Sequence, residues 1–252
     1  MTGIQQIYGL IGFPLTHSWS ASYFADKFER EEITRAIYKS IPMPDLGRLP
    51  ELVRETPGLR GLNVTIPHKE KVIPFLDRLS ETARAIGAVN TILVRRKAGE
   101  PLLEGHNTDA YGFGKSLEEN GVRGAGSALV LGTGGASRAV MHVLKKKGWK
   151  VLAVSRSPQG PGTTSYRALT STHFETHSLI VNTTPLGMYP ETEGFPPIPY
   201  RYLGKDHILF DLVYNPEETR FLKKGLQAGC KTIGGLRMLI LQAEKSWEIW
   251  NR

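Results

Sequence analysis

Cysteine is all but absent. Cys230 is the only one among 252 residues, which rules out an internal disulfide and leaves a thiolate metal site without partner ligands; it is expected to be buried as a small apolar side chain. Long apolar runs are missing as well, and nothing approaches the roughly 18 uncharged residues that a membrane helix needs. The first ten residues lack a basic stretch, an apolar signal core and a small-residue cleavage site. They begin as an ordinary strand through Ile4, Ile7 and Leu10, so a cytoplasmic protein is expected. No carboxylate cluster completes a metal site, and no metal is expected. Internal repeats of fixed short period and low-complexity segments are likewise lacking.

Acidic residues are comparatively few: 32 Lys and Arg stand against 24 Asp and Glu, a formal charge of +8 and a sequence pI near 9.5. Such a balance suits nucleic acid or small anionic ligands. Lys145-Lys146-Lys147 falls at the C-terminal end of a predicted helix, where cations complement the dipole, and Arg95-Arg96-Lys97 closes a predicted strand before a turn. Neither cluster is interleaved with aromatics, so a small-molecule substrate is favoured and no nucleic-acid partner is expected.

The chain has room for one large or two modest domains. Over its first hundred residues strands and helices alternate: strands at Ile4 to Ile11, Ala36 to Ile41, Gly61 to Thr65, Ala88 to Val94 and from Leu102, and helices at Asp45 to Glu55 and Ser80 to Ile86, the latter closed by Gly87. That pattern predicts an α/β domain with a mostly parallel sheet. Ligand-binding residues of such sheets gather at the carboxyl ends of strands, and Ser18, Lys69 and Asp109 each follow one. Lys69 ends the stretch Asn63-Val64-Thr65-Ile66-Pro67-His68-Lys69 and is expected on the first turn of a helix through Val72, Ile73 and Leu76. An amine with a reference pKa of about 10.4 serves as an acid or base near neutrality only when held by a partner and partly withdrawn from water; otherwise it is a solvated surface cation. Ser18 and Ser20 either cap the helix that follows or bind a polyhydroxy or carboxylate ligand. Thr108 or Asp109 caps the helix Ala110 to Glu119, or Asp109 is the second chemical group.

The second half carries the clearer fold signal. A short buried strand, Ala128 to Leu131, breaks into Gly132-Thr133-Gly134-Gly135-Ala136-Ser137, which opens a helix through Val140, Val143 and Leu144. A glycine-rich turn between strand and helix lets backbone N–H groups approach a pyrophosphate. Ser137 occupies the third glycine position of the usual fingerprint, and the next strand, Val151 to Val154, supplies the required context. An acid expected there for NAD is replaced by Ser155-Arg156-Ser157, and an arginine pairs with a 2′-phosphate, so NADP is favoured over NAD. A Gly/Pro/Ser/Thr-rich loop (Ser157 to Ser165) leads to strands at Leu179 to Val181 and Ile208 to Leu212, a helix at Thr219 to Ala228, and a final helix from Leu236 to Trp250. Gln242 stands within that helix's apolar pattern, either facing solvent or serving the site.

With these residues laid out, the chain resembles the shikimate dehydrogenase family over nearly its full length. The motifs are PLTHSWS, NVTIPHK, IGAVNT, GHNTD, GTGGASRA, NTTPLGM, DLVYNP and GGLRML followed by Gln242; each is modest alone, but their joint order is highly specific. The resemblance implies an N-terminal substrate and catalytic domain (1–104 with 236–252), a C-terminal Rossmann NADP-binding domain (105–235), and a final helix returning to the first domain. It implies NADPH-dependent reduction of 3-dehydroshikimate to shikimate, with Lys69 and Asp109 as the catalytic pair. Substrate contacts would be Ser18, Ser20, Thr65, Asn90, Tyr214 and Gln242 together with that pair. Cofactor contacts would be Gly132, Thr133, Gly134, Gly135, Ala136 and Ser137; Ser155, Arg156 and Ser157; Thr183, Thr184, Pro185, Leu186 and Met188; and Leu212, Gly235 and Glu81. A monomer or homodimer is expected.

Three positions depart from the family pattern. Its usual Asn-Arg-Thr is Ser155-Arg156-Ser157 here, with no second basic residue nearby, which narrows the margin of NADP over NAD. Leu212 stands where methionine is common, a volume-conserving change. Arg237 replaces a glycine beside Gly235, and nothing in the sequence accounts for it. The rival readings are an NAD-dependent quinate/shikimate dehydrogenase and a redox-inactive NADP-binding regulatory module.

Overall fold

Side chains of a strand alternate between its two faces, and the short apolar strands of this chain bury both. In the computed structural model, residues 5–15 and 19–252 are described. Ser18 lies outside them. Contacts divide the chain into two units, Met1–Thr108 with Ala243–Arg252, and Asp109–Gln242.

The first unit is built on β1 (Gln6–Gly12), β2 (Ala36–Pro42), β3 (Leu59–Val64), β4 (Arg78–Leu79), β5 (Thr91–Lys97) and β6 (Glu100–His106), ordered β2-β1-β3-β5-β6-β4. Pairings β1–β2, β1–β3 and β4–β6 are parallel, but β5 runs antiparallel to both β3 and β6. The sheet is therefore mixed on one side. The β5–β6 pairing is set by the tight hairpin at Ala98-Gly99, where both residues are left-handed, with φ of 51° and 90°, the geometry that matches strand twist in a two-residue loop.

Helices α1 (Trp19–Arg30), α2 (Leu49–Glu55) and α3 (Glu81–Ile86) belong to this unit, as does the end of α8 (Leu236–Trp250). Ser80 caps α3 by accepting from Ala83 N, and Gly87 ends it at φ 70°. On one side of the sheet, Ile11, Leu62, Ile92 and Val94 pack with Leu49 and Val53 of α2. On the other, Tyr8 and Leu93 meet Phe24, Phe28 and Trp250. The Trp250 indole donates to Ile92 O at 3.0 Å and occupies the space a Cβ on Gly61 would need. Truncating such an indole costs about 3–5 kcal/mol. Lys27 of α1, buried, donates to Glu31 at 2.8 Å and to Glu244 of α8 at 2.9 Å. Arg96 caps the end of α2 by donating to the carbonyls of Val53, Thr56 and Pro57.

The second unit carries β7 (Ser127–Leu131), β8 (Lys150–Ser155), β9 (Thr163–Ser165), β10 (Leu179–Asn182), β11 (Ile208–Asp211) and β12 (Lys231–Ile233), all parallel in the order β12-β11-β10-β7-β8-β9. Its helices are α4 (Asp109–Glu119), α5 (Gly135–Lys146), α6 (Ser171–Thr176), α7 (Arg220–Gln227) and the start of α8. The segment expected as a surface loop, Ser157 to Ser165, ends in the edge strand β9. Cys230 is buried with Leu209 and Phe221, as its sequence context required. Phe113 of α4 packs edge-on against Phe210 of β11 at 5.0 Å. Among the described residues, no helix is long and apolar enough to cross a membrane.

Candidate active site

The turn that carries Lys69 hangs from the carboxyl ends of β1 and β3. Thr65 N donates to Ile11 O at 2.9 Å, and Thr65 O accepts from His68 N at 2.9 Å. No α-helix follows; residues 66–72 form successive turns into a 3-10 helix at Ile73–Phe75. The helix expected through Val72, Ile73 and Leu76 fails because Pro74 supplies no N–H for an i→i−4 bond and disfavours the α conformation at Ile73. Lys69 is instead anchored through its carbonyl, which accepts from Val89 N at 2.7 Å. The next residue is Asn90, whose own carbonyl accepts from Val64 N at 2.8 Å. Two backbone bonds thus bring Thr65, Lys69 and Asn90 to one place in the first unit.

Asn90 belongs to a buried polar network. Asn90 Nδ2 donates to Thr108 Oγ1 at 2.9 Å, and Thr108 N donates to Asn90 Oδ1 at 2.7 Å. Asn63 Nδ2 donates to Ser246 Oγ at 3.0 Å and accepts at Oδ1 from the Tyr38 hydroxyl at 2.7 Å. Burial pushes the Tyr38 phenol above its ordinary range, and the Ser20 hydroxyl, also bonded to it, opposes that shift. Ser20 therefore joins Asn90 through side chains, although the two are remote in sequence. Asn63, Thr91 and Ser246 were not singled out from sequence, and Thr108 only as a candidate helix cap. Their signal was available, since amide and hydroxyl side chains at strand and helix positions that face a core are buried only with partners.

Asp109 is buried at the start of α4, directly after Thr108. Gln242 is buried on α8 rather than facing solvent. A Cβ on Gly112 would come within 2.6 Å of Met238 O and 3.1 Å of Gln242 Cβ, so α4 and α8 cross closely there. Tyr214 is partly buried, which raises its phenol pKa. Glu81 is exposed on the first turn of α3.

In the second unit, the residues expected to hold a dinucleotide all follow carboxyl ends of parallel strands. The Gly132–Ser137 turn follows β7, Ser155-Arg156-Ser157 closes β8, Thr183–Met188 follows β10, Leu212 follows β11 and Gly235 follows β12. Strand order reverses between β7 and β10, and crevices at such reversals are where open α/β sheets bind ligands. The two turns at this point touch: Gly132 has φ 113°, and a Cβ there would stand 2.7 Å from Thr183 Oγ1. Thr183 Oγ1 in turn donates to Leu131 O at 2.7 Å. Ser137 is buried and donates to Gly132 O at 2.7 Å. It braces the turn from within.

The neighbouring turns share one buried carboxylate. Asp211 accepts from Asn182 Nδ2 at 2.9 Å, Val213 N at 3.0 Å and Thr219 Oγ1 at 2.6 Å. Asn182 Oδ1 accepts from Thr184 N at 3.0 Å and Thr184 Oγ1 at 2.7 Å. Desolvation pushes the Asp211 carboxyl up to about 6, against these three donors. Arg237, unexplained from sequence, has a partner on α4: its guanidinium forks onto both oxygens of Glu119 at 2.6 and 2.9 Å.

These residues fit a phosphorylated dinucleotide. A Cβ on Gly134 would meet nothing within 4 Å, so the turn leaves open space at the N-terminal end of α5, where helix N–H groups favour an anion. Arg156 is exposed at the end of β8, with no carboxylate in Ser155-Arg156-Ser157 to repel a 2′-phosphate. His173 and His177 have the HxxxH spacing that sequence reading had held to be absent, and they are engaged locally, with His173 Nδ1 accepting from Thr170 N and His177 Nδ1 bonded to His173 O. Among the described residues, no group of three or more His, Cys, Asp or Glu is placed to hold a metal ion.

Residues 10–92 match the family model for the shikimate dehydrogenase substrate binding domain. The chain is 39% identical to a shikimate dehydrogenase (NADP(+)) of Clostridium beijerinckii, over 97% of this chain and 92% of that one. Among solved structures, the Thermus thermophilus shikimate 5-dehydrogenase in complex with NADP(H) and shikimate superposes with a TM-score of 0.84 at 33% identity, over 98% of this chain and 93% of its own. A quinate dehydrogenase from Corynebacterium glutamicum in complex with NAD gives 0.86 at 28% identity, over 98% and 94%.

Proposed function

The chain belongs to the shikimate dehydrogenase family, and from that membership we propose that it catalyses the reversible, NADP-dependent interconversion of 3-dehydroshikimate and shikimate in aromatic amino acid biosynthesis. The observation that carries this reading is the 39% identity extending over 97% of this chain and 92% of its relative. The first unit is the substrate domain and the second the nucleotide domain. The enzyme acts in the cytoplasm, as a monomer or homodimer.

NADP(H), when bound, supplies or accepts the hydride. Its pyrophosphate is held by the backbone of the turn from Gly132 through Thr133, Gly134, Gly135 and Ala136, which Ser137 braces, and its 2′-phosphate by Arg156 between Ser155 and Ser157. The turn of Thr183, Thr184, Pro185, Leu186 and Met188, with Leu212, Gly235 and Glu81, would supply further contacts to the cofactor. Lys69, as an ammonium, donates a proton to the ring oxygen as the carbonyl is reduced, and takes it back in the reverse direction. Asp109 orients that amine. Ser18, Ser20, Thr65, Asn90, Tyr214 and Gln242 bind the carboxylate and hydroxyls of the substrate, since hydroxyl and amide groups match a polyol in both donating and accepting.

A second reading, quinate oxidation with NAD, is favoured by the likeness to the quinate dehydrogenase and by the lone basic residue at Arg156. One assay separates them: reduction of NADP+ and of NAD+ with shikimate and with quinate, followed by the near-ultraviolet absorbance of the reduced nicotinamide. The shikimate and NADP+ pair is expected to give the highest kcat/KM. A higher value for quinate with NAD+ overturns the assignment, and inactivity with all four combinations removes the chain from this chemistry.

A further inference from the structure

Ser246 lies in α8 with 0% of its surface exposed, and it is not among the substrate contacts proposed above. Serine is a modest helix former, and a hydroxyl withdrawn from water contributes to a helix only through its partners. Here the partners are specific. Ser246 Oγ accepts from Asn63 Nδ2 at 3.0 Å and shares hydrogen bonds with Thr91 Oγ1 at 2.8 Å and Thr108 Oγ1 at 3.2 Å. The two threonines converge on Asn90: Thr91 Oγ1 donates to its Oδ1 at 3.3 Å, and Thr108 Oγ1 accepts from its Nδ2 at 2.9 Å. On the opposite side, Asn63 leads through the Tyr38 hydroxyl to Ser20.

We propose that Ser246 is a positioning residue for substrate recognition: its hydroxyl orders the protons of Thr91 and Thr108, which hold the Asn90 carboxamide, and links that amide to Ser20 at the other end of the network. Thr108 N–H decides which amide atom faces it. Ser246 decides which way the adjoining hydroxyls point, and so whether Asn90 meets substrate in a fixed or a shifting arrangement. Hydrogen bonds in such buried networks polarise one another, so losing the node weakens each remaining contact. The inference rests on the reading that Asn90 and Ser20 touch the substrate.

The test uses Ser246→Ala and Ser246→Cys in the full-length enzyme, with Asn90→Ala and the double variant Ser246→Ala/Asn90→Ala. Both Ser246 variants are expected to raise the KM for shikimate about tenfold, as the loss of one well-placed hydrogen bond does, and to leave the KM for NADP+ unchanged. Cysteine fills the space but bonds weakly, so equal effects in the two variants identify the hydroxyl; an effect confined to alanine identifies packing and overturns the proposal. The double variant is expected to be no worse than Asn90→Ala alone. Additive losses, or a wild-type shikimate KM in both Ser246 variants while Asn90→Ala is impaired, overturn the inference and leave the substrate reading standing. A wild-type KM in Asn90→Ala removes Asn90 from the substrate site and the inference with it.

Discussion

Replacing Gly132 by alanine tests whether the turn after β7 is shaped for a nucleotide or merely tolerates one. At φ 113° the backbone sits where non-glycine residues pay about 1–3 kcal/mol. The added Cβ would stand 2.7 Å from Thr183 Oγ1, forcing apart a hydroxyl that donates to Leu131 O at 2.7 Å, a bond of about 0.5–1.5 kcal/mol. Together these amount to about 2–4 kcal/mol, or a Tm lower by roughly 5–15 °C. Gly134→Ala is the informative partner. Gly134 has φ −81°, and its Cβ would meet no protein atom within 4 Å, so stability should fall by less than about 1 kcal/mol, the difference between glycine and alanine at a helix cap. The same methyl enters the space left for the pyrophosphate. Thermal melts with and without NADP+, combined with initial-rate kinetics, should show both variants with an NADP+ KM raised about tenfold or more and only Gly132→Ala with a lowered Tm. A wild-type NADP+ KM in Gly134→Ala would refute the cradle, and a wild-type Tm in Gly132→Ala would refute the steric argument.

Two further expectations concern single charged groups. Arg156→Ala should raise the NADP+ KM about 10- to 100-fold, the worth of a charge-assisted contact, while NAD+ kinetics stay near wild type; an equal loss with both cofactors would place Arg156 away from the 2′-phosphate. Asp211, pushed from 3.8 up to about 6, keeps its proton in the folded state at pH values where the unfolded chain has released it. Stability from this site is therefore full below the lower value and declines as pH rises through the upper one, by about 3 kcal/mol in all. Asp211→Asn should remove that slope in denaturant titrations run across the window. An unfolding free-energy difference between wild type and variant that does not change with pH would contradict it.

Much of this architecture was legible because it depends on local pattern. The strand, glycine turn and helix at Ala128 to Leu144 follows local pattern, with Gly132 meeting a backbone need that favours glycine, and Ser80 and Gly87 bracket α3 as cap chemistry requires. What was not legible depends on pairing between distant segments. Nothing within Thr91–Lys97 states that β5 will run against its neighbours; the short hairpin sets this for β6, and the pairing with β3 depends on a segment distant in sequence. Val72, Ile73 and Leu76 have helical spacing, but Pro74 among them matters more than the period. Arg237 could not be explained without Glu119, which reaches it only through the packing of α4 against α8. In the same way Lys69 was found from its motif, whereas the network that supports Asn90 draws on strands and a helix separated by up to 183 positions, as between Asn63 and Ser246.

The central claim is that the Lys69 amine moves the proton of the reaction. Turnover of Lys69→Ala at saturating shikimate and NADP+ measures it most directly, with Tm as the control for folding. Proton transfer predicts a kcat at least about a hundredfold below wild type with a comparatively small change in shikimate KM. A wild-type kcat with only a raised KM would make Lys69 a binding residue and contradict the account.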